Sequence, residues 1–216
     1  MLSNRQLEAT PPSSGATALC KLNQFATLRV SGPDAESFLQ NLLSNDIRQV
    51  SHTQAQFSSF NTAKGRMLAT FLIWRNGDDY LLQLPTTLCD PIRKKLGMYV
   101  LRAKVKITDA REEIITLGLC CKQNILSSDA LPLLGVTQAF GASMIKLGES
   151  RFQLNTTPEL AQTLWQTLSE YAQPVESSFW DWLNIRAGIA VILPETQEQF
   201  VPQMANFDLI GGVNFK

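Results

Sequence analysis

The sequence lacks most of the patterns by which chemistry shows itself. It has no G-x-G-x-x-G turn, no Walker loop and no G-x-S-x-G elbow, so nothing in it cradles a phosphate or presents a serine nucleophile in the familiar ways. Histidine occurs once, His52, in the polar stretch SHTQAQ, where a solvated loop residue is the plain reading. The four cysteines, Cys20, Cys89, Cys120 and Cys121, form no C-x-x-C pair and no spaced zinc set. They read as small buried residues in a reducing cytosol. Neither charge sign is in excess, with 19 basic and 19 acidic residues, so the surface as a whole attracts neither nucleic acid nor an anionic membrane. No apolar run reaches membrane-spanning length. Residues 1–18 are polar and carry Pro11, Pro12 and Ser13-Ser14-Gly15, without the apolar centre of a signal peptide. The expectation is a cytoplasmic chain with a flexible start and no membrane partner.

What is present is enough apolar material for a substantial core. A chain of 216 residues that is 44% hydrophobic makes one large domain or two small ones. Ala26, Leu28 and Val30 alternate with Thr27 and Arg29, the pattern of a half-buried strand. In SGPDAESFLQNLLSND, Ala35, Phe38, Leu39, Leu42 and Leu43 share one helical face. Ser31 and Asp34 have capping-box spacing there, and Pro33 suits a first turn. Met67 to Arg75 reads as a strand, Asn76-Gly77 as a hairpin turn and Tyr80 to Leu84 as the returning strand. A helix follows, with Leu88, Ile92 and Leu96 at steps of four. Ala103, Val105 and Ile107 alternate with Arg102, Lys104 and Lys106 as a further strand, and Ile114 to Leu119 make another.

The hairpin-then-helix order then recurs. Ser143 to Leu147 and Arg151 to Asn155 flank a turn at Gly148-Glu149-Ser150. A helix from about Pro158 carries Leu160, Leu164, Leu168 and Tyr171. LQLPTTL and FQLNTTP align Gln83 with Gln153, Leu84 with Leu154, Thr86 with Thr156 and Thr87 with Thr157. A generic strand-to-helix junction gives such a match by chance, but the element order agrees with it. The pattern predicts an α+β fold of two related hairpin-plus-helix modules. The expected division is a tail over 1–18, a first module over 19–110, a second over 111–176, and a helix and loop over 177–216 that return to the first. Ser177 or Ser178 can cap the last helix, which holds Trp180, Trp182, Leu183 and Ile185 and ends near Gly188. Phe200, Val201, Met204 and Phe207 would anchor the loop after Pro194.

Three features can carry binding. Lys64-Gly65-Arg66 can hold an anion before a strand, and is equally the composition of a basic surface turn. Arg102, Lys104 and Lys106 fall on one strand face and can meet phosphates, or can be a solvated face. Trp180 and Trp182 with Arg186 can wall a flat heteroaromatic ligand, or both rings can be core.

Five segments in order resemble one family: SGPDAESFLQNLLSND, NTAKGRMLATF, LRAKVKI, WLNIRAGIAVI and FVPQMANFDLIGGVNFK. They resemble the YgfZ branch of the folate-binding aminomethyltransferase-like family, whose other branch is the glycine-cleavage T-protein. The resemblance implies a cavity for tetrahydrofolate or a derivative shared by the two modules, with Phe25 and Trp180 flanking its rings. Lys64, Arg66 and Arg186 are implied as partners of its carboxylates on charge grounds. In the family the last segment runs into Lys-Gly-Cys-Tyr-x-Gly-Gln-Glu and a small β-barrel. Lys216 falls at the first lysine before that motif, so a truncated chain without the barrel is expected. The family's transferases carry an acid on the strand after the Lys-Gly turn, where this chain reads Met67-Leu68-Ala69-Thr70. The resemblance therefore implies an accessory factor for iron–sulfur enzymes that modify tRNA rather than an aminomethyl or one-carbon transferase. A third alternative is a tRNA- or protein-binding module without folate, working through Arg102, Lys104 and Lys106.

Overall fold

The strand Met67–Asn76 is buried for eight consecutive residues, so both of its faces must be covered. The fold meets that requirement with two packed sheets. The computed structural model describes residues 17–121 and 131–215. Most of the expected flexible tail, residues 1–16, and Lys216 lie outside the described residues.

The elements in chain order begin with β1 (Ala18–Lys21), β2 (Phe25–Ser31), α1 (Ala35–Gln40), β3 (Gln56–Asn61), β4 (Met67–Asn76), β5 (Asp79–Pro85) and α2 (Thr86–Gly97). They continue with β6 (Lys106–Asp109), β7 (Ile115–Cys120), β8 (Val136–Ala139), β9 (Ala142–Gly148) and β10 (Arg151–Thr156), then α3 (Pro158–Ser169), β11 (Gln173–Pro174) and α4 (Ser177–Arg186). One open sheet runs β3-β4-β5-β2-β6 and the other β8-β9-β10-β7-β1-β11. The expected repeat is therefore visible in the topology. Hairpin β4–β5 precedes α2 as hairpin β9–β10 precedes α3, and β2 and β7 occupy matching places. The fifth strands differ in origin, since β6 follows the first hairpin while β1 precedes both. Residues 19–21, expected with the first module, thus pair with the second sheet.

Period-two geometry sorts the side chains. Leu28, Val30, Phe71, Ile73, Leu82 and Leu84 pack beneath α1 and α2. Leu117, Leu119, Met144, Phe152 and Leu154 pack against Leu164 and Leu168 of α3. The opposite faces meet each other: Leu72, Trp74 and Leu81 of the first sheet lie in one cluster with Val136, Ile145 and Leu147 of the second. Trp180 of α4 closes that cluster. The layers therefore run helices, sheet, sheet, helix.

Several expectations are corrected. α1 is only six residues long, and the capping box does not form. The Asp34 carboxylate instead accepts the backbone N–H of Lys104 at 2.7 Å, which ties the helix start to the segment before β6. That segment is not a strand at Arg102 and Lys104, because β2 ends at Ser31, paired with Lys106, and offers no backbone beyond it. All three cations are exposed. On α3 the inward face is Ala161, Leu164 and Leu168, so Leu160 and Tyr171 point outward; steps of four drift off a face that repeats every 3.6 residues. Of the residues expected to anchor the last loop, Phe207 is buried and Phe200 packs on the first core, while Met204 is exposed.

Candidate ligand cleft between the sheets

One group of buried polar residues lies on the inner faces. Along β10 the alternation Arg151, Gln153 and Asn155 faces away from α3, and all three are buried. Gln83 occupies the matching place on β5 and is buried as well. These residues lie where the two sheets part and α4 crosses.

Trp180 organises this point. It is 2% exposed and sits against Gly118 of β7, where a Cβ would come within 2.5 Å of its six-membered ring. Only glycine leaves room for the indole there. The Arg151 guanidinium covers the ring at 4.1 Å from its centroid, a cation–π contact in a desolvated setting. Arg151 is itself only 6% exposed. Its Nη2 donates to the side-chain oxygen of Asn184 on α4, while Nε and Nη1 have no acceptor among the described residues. None of the ion pairs formed by the described residues includes Arg151. Burial pulls its pKa down to about 10, so it is still a cation at neutral pH. Its neighbour Cys20 has the opposite response: burial pushes the thiol up to about 12, which keeps it protonated and unreactive.

Gln83 adds a second donor without a partner among the described residues, its amide nitrogen. Its counterpart differs, because the Gln153 amide donates to Asn155 at 3.0 Å, and Thr116 donates to the same Asn155 oxygen at 3.2 Å. Arg151, Gln83, Gln153, Thr70 and Trp180 line a narrow space of about 40 Å³. Phe25, Pro85, Asn184, Ile189, Ala190 and Val191 line it too, and also line a wider cavity of about 610 Å³. The outer walls are mainly apolar, with Ile185, Ile192, Leu193, Phe200 and Met204. Asp181 is the one carboxylate on them, and it accepts from Gln24 at 3.2 Å. A cavity of this size with few convergent polar groups has the form of a small-molecule site.

Of the residues singled out from sequence, Phe25 and Trp180 come together here. Phe25 is half-buried and lines both parts of the cleft. Trp180 lines the inner part, with one face already taken by Arg151. The basic candidates are not brought to it. Lys64 and Arg66 are exposed in the turn before β4, and Arg66 donates to the Gln199 carbonyl at 2.7 Å. Arg186 is exposed and lies over Trp182 at 4.9 Å, and Trp182 stacks on Phe179 rather than facing the cleft. Sequence reasoning missed Arg151, Gln83 and Asn184. The one signal for them was the Gln83/Gln153 match between modules, which marked a position but not a direction.

Comparison with known proteins gives a consistent result. The model of the GCVT N-terminal domain family matches residues 14–121. The tRNA-modifying protein YgfZ of Klebsiella pneumoniae (strain 342) is 28% identical over 225 residues, covering 95% of this chain and 66% of that protein. The tRNA-modifying protein YgfZ of Enterobacter sp. (strain 638) is 30% identical over 209 residues, covering 92% of this chain and 63% of that protein. The chain thus spans 63–66% of the length of these two curated relatives. The glycine cleavage system aminomethyltransferase T from Bartonella henselae has a similar fold, with a TM-score of 0.63 at 16% identity over 74% of this chain and 48% of that one.

Proposed function

The chain belongs to the GCVT N-terminal domain family, and on that premise we propose that it is a folate-binding accessory protein whose site is the cleft between the two sheets. The observation that carries this is the apolar cavity of about 610 Å³ that narrows past Phe25. A flat heteroaromatic ring with an extended tail suits such a shape. The residues fit the group: Phe25 offers an aromatic wall at the narrowing, and Arg151 and Gln83 offer donors without acceptors among the described residues at the inner end. Tetrahydrofolate held there would supply a carrier for one-carbon units.

The residues favour binding over group transfer. β4 begins Met67-Leu68-Ala69-Thr70 with no carboxylate, and the Thr70 hydroxyl is engaged by the Ile192 N–H at 3.2 Å. Asp181, on the outer wall, is exposed, and the described residues that line the inner end include no carboxylate or histidine to act as a base. The wider role in this proposal is support of iron–sulfur enzymes that modify tRNA. The name of the two curated relatives, tRNA-modifying protein YgfZ, supports the tRNA part, and the sequence resemblance supplies the rest.

Calorimetric titration with tetrahydrofolate tests the binding. Saturable binding is expected, and Phe25→Ala weakens it about tenfold, which is about 1.4 kcal/mol. Absence of saturable heat, or equal affinity in the variant, contradicts the reading.

A second reading rests on Arg102, Lys104 and Lys106, which are exposed and take part in no ion pair among the described residues. They would dock RNA phosphates. Binding of tRNA that falls steeply with salt, and is lost when the three are neutralised, is its test.

A further inference from the structure

The inner end of the cleft has an imbalance that the core does not explain. Among the described residues that line it, every buried side-chain polar atom without a partner is a nitrogen donor: Nε and Nη1 of Arg151 and Nε2 of Gln83. A guanidinium this deep, with no carboxylate against it, is costly to leave bare. Native interiors satisfy such groups, so an orphaned set that shares one cavity points to a partner from outside. The available room, about 40 Å³, takes an edge or a small group and not a bicyclic ring. The surroundings fix the donors. Trp180 lies against the guanidinium and Asn184 accepts Nη2, so neither takes up Nε or Nη1.

We propose that this inner end is an acceptor-recognition subsite, in which Arg151 and Gln83 donate to an oxygen on the end of the ligand that enters first. The inference rests on the folate reading and sharpens it, because it says what chemistry the site selects. Two parts of a folate carry such an oxygen, the 4-oxo edge of the pterin and the glutamate carboxylates. In either case the site favours an acceptor and penalises a donor placed at the same point. A buried donor left facing another donor forfeits its hydrogen bond and its hydration together, the basis of strong discrimination between an oxygen and an amino group.

The test is calorimetry with three ligands: tetrahydrofolate, its 4-amino analogue, and its analogue lacking the glutamate. Each is titrated into the unaltered chain, Arg151→Gln and Gln83→Leu, with chemical unfolding run on all three proteins. Tetrahydrofolate is expected to bind the unaltered chain at least tenfold more tightly than it binds either folded variant. If the pterin oxygen enters, the 4-amino analogue binds the unaltered chain at least tenfold more weakly than tetrahydrofolate, and Arg151→Gln abolishes that ratio. If a carboxylate enters, the analogue without glutamate is the weak one and Arg151→Gln abolishes that ratio instead. A structural role for Arg151 changes affinity for all three ligands together and leaves both ratios intact, which overturns the proposal. Gln83→Leu, which removes an unpartnered amide, keeps the test open should Arg151→Gln fail to fold. Equal tetrahydrofolate affinity in folded variants overturns the subsite and leaves the folate reading standing. Failure of all three ligands to bind the folded, unaltered chain overturns both.

Discussion

The two sheets share one connectivity and differ in what they turn toward each other. The first sends in Leu72, Trp74 and Leu81, with Thr27, Thr70 and Gln83 as buried polar groups on the same face. The second sends in Ile145 and Leu147 from β9, but from β10 a row of Arg151, Gln153 and Asn155. One copy of the motif therefore keeps two hydroxyls and one amide there, and the other adds a buried guanidinium and an amide network. Repetition supplies two faces that fit together, and divergence at alternate positions of one strand turns part of the seam into a site. The matched glutamines show the divergence most directly: Gln153 is embedded in a network with Asn155 and Thr116, while the Gln83 amide nitrogen has no partner among the described residues.

The largest expected effect comes from removing the residue that both sheets lean on. Trp180→Ala should cost about 3–5 kcal/mol of stability, measured by urea unfolding, because it empties the junction of β7, β10 and α4. A loss under about 1 kcal/mol would mean that the seam does not depend on it.

The matched glutamines should respond unequally. Gln153→Leu strips the Asn155 oxygen of its amide donor in a buried network and should cost about 1–3 kcal/mol. Gln83→Leu removes a group whose nitrogen has no partner and should stay within about 0.5 kcal/mol of the unaltered chain. Equal costs would erase the proposed asymmetry between the modules.

Thiol chemistry offers a control in which the modules should agree. Burial raises Cys89 of the first module to about 11, Cys20 to about 12 and Cys121 to about 11. These thiols are neutral below their raised values and become thiolates only as the pH climbs past about 11. At pH 8 about one in a thousand or fewer is ionised, so iodoacetamide followed by mass spectrometry should leave all three unmodified in the native chain. Rapid labelling of any one would show that its surroundings open.

The smallest expected effect is on the cations that the sequence put forward. Lys64→Ala, Arg66→Ala and Arg186→Ala should each leave tetrahydrofolate affinity within about twofold, because exposed charges that do not line the cleft act only through screened solvent. A tenfold loss in any one would move the ligand's tail to that residue.

How far the sequence could be read follows the same division. The hairpins and α2 were legible because apolar spacing reports burial directly, whereas spacing left Trp180 open between core and cavity and only the family resemblance singled it out. The α1 cap was not, since Asp34 spends its carboxylate on a backbone group seventy residues away. Arg151 was illegible for a deeper reason. Arg-Phe-Gln-Leu-Asn is the alternation of a strand with one face in water, and nothing local says that the polar face is covered by a second sheet. The basic turn and Arg186 stood out by charge alone, and charge does not encode distance to a cleft.

The most direct test of the central claim, that the cleft between the sheets is the ligand site, is a crystal structure of the chain with tetrahydrofolate. The account predicts ligand density between the sheets, in contact with Phe25 and with an acceptor oxygen at hydrogen-bond distance from Arg151. Density at the Lys64-Gly65-Arg66 turn or beside Arg186, with the cleft holding only water, would contradict it.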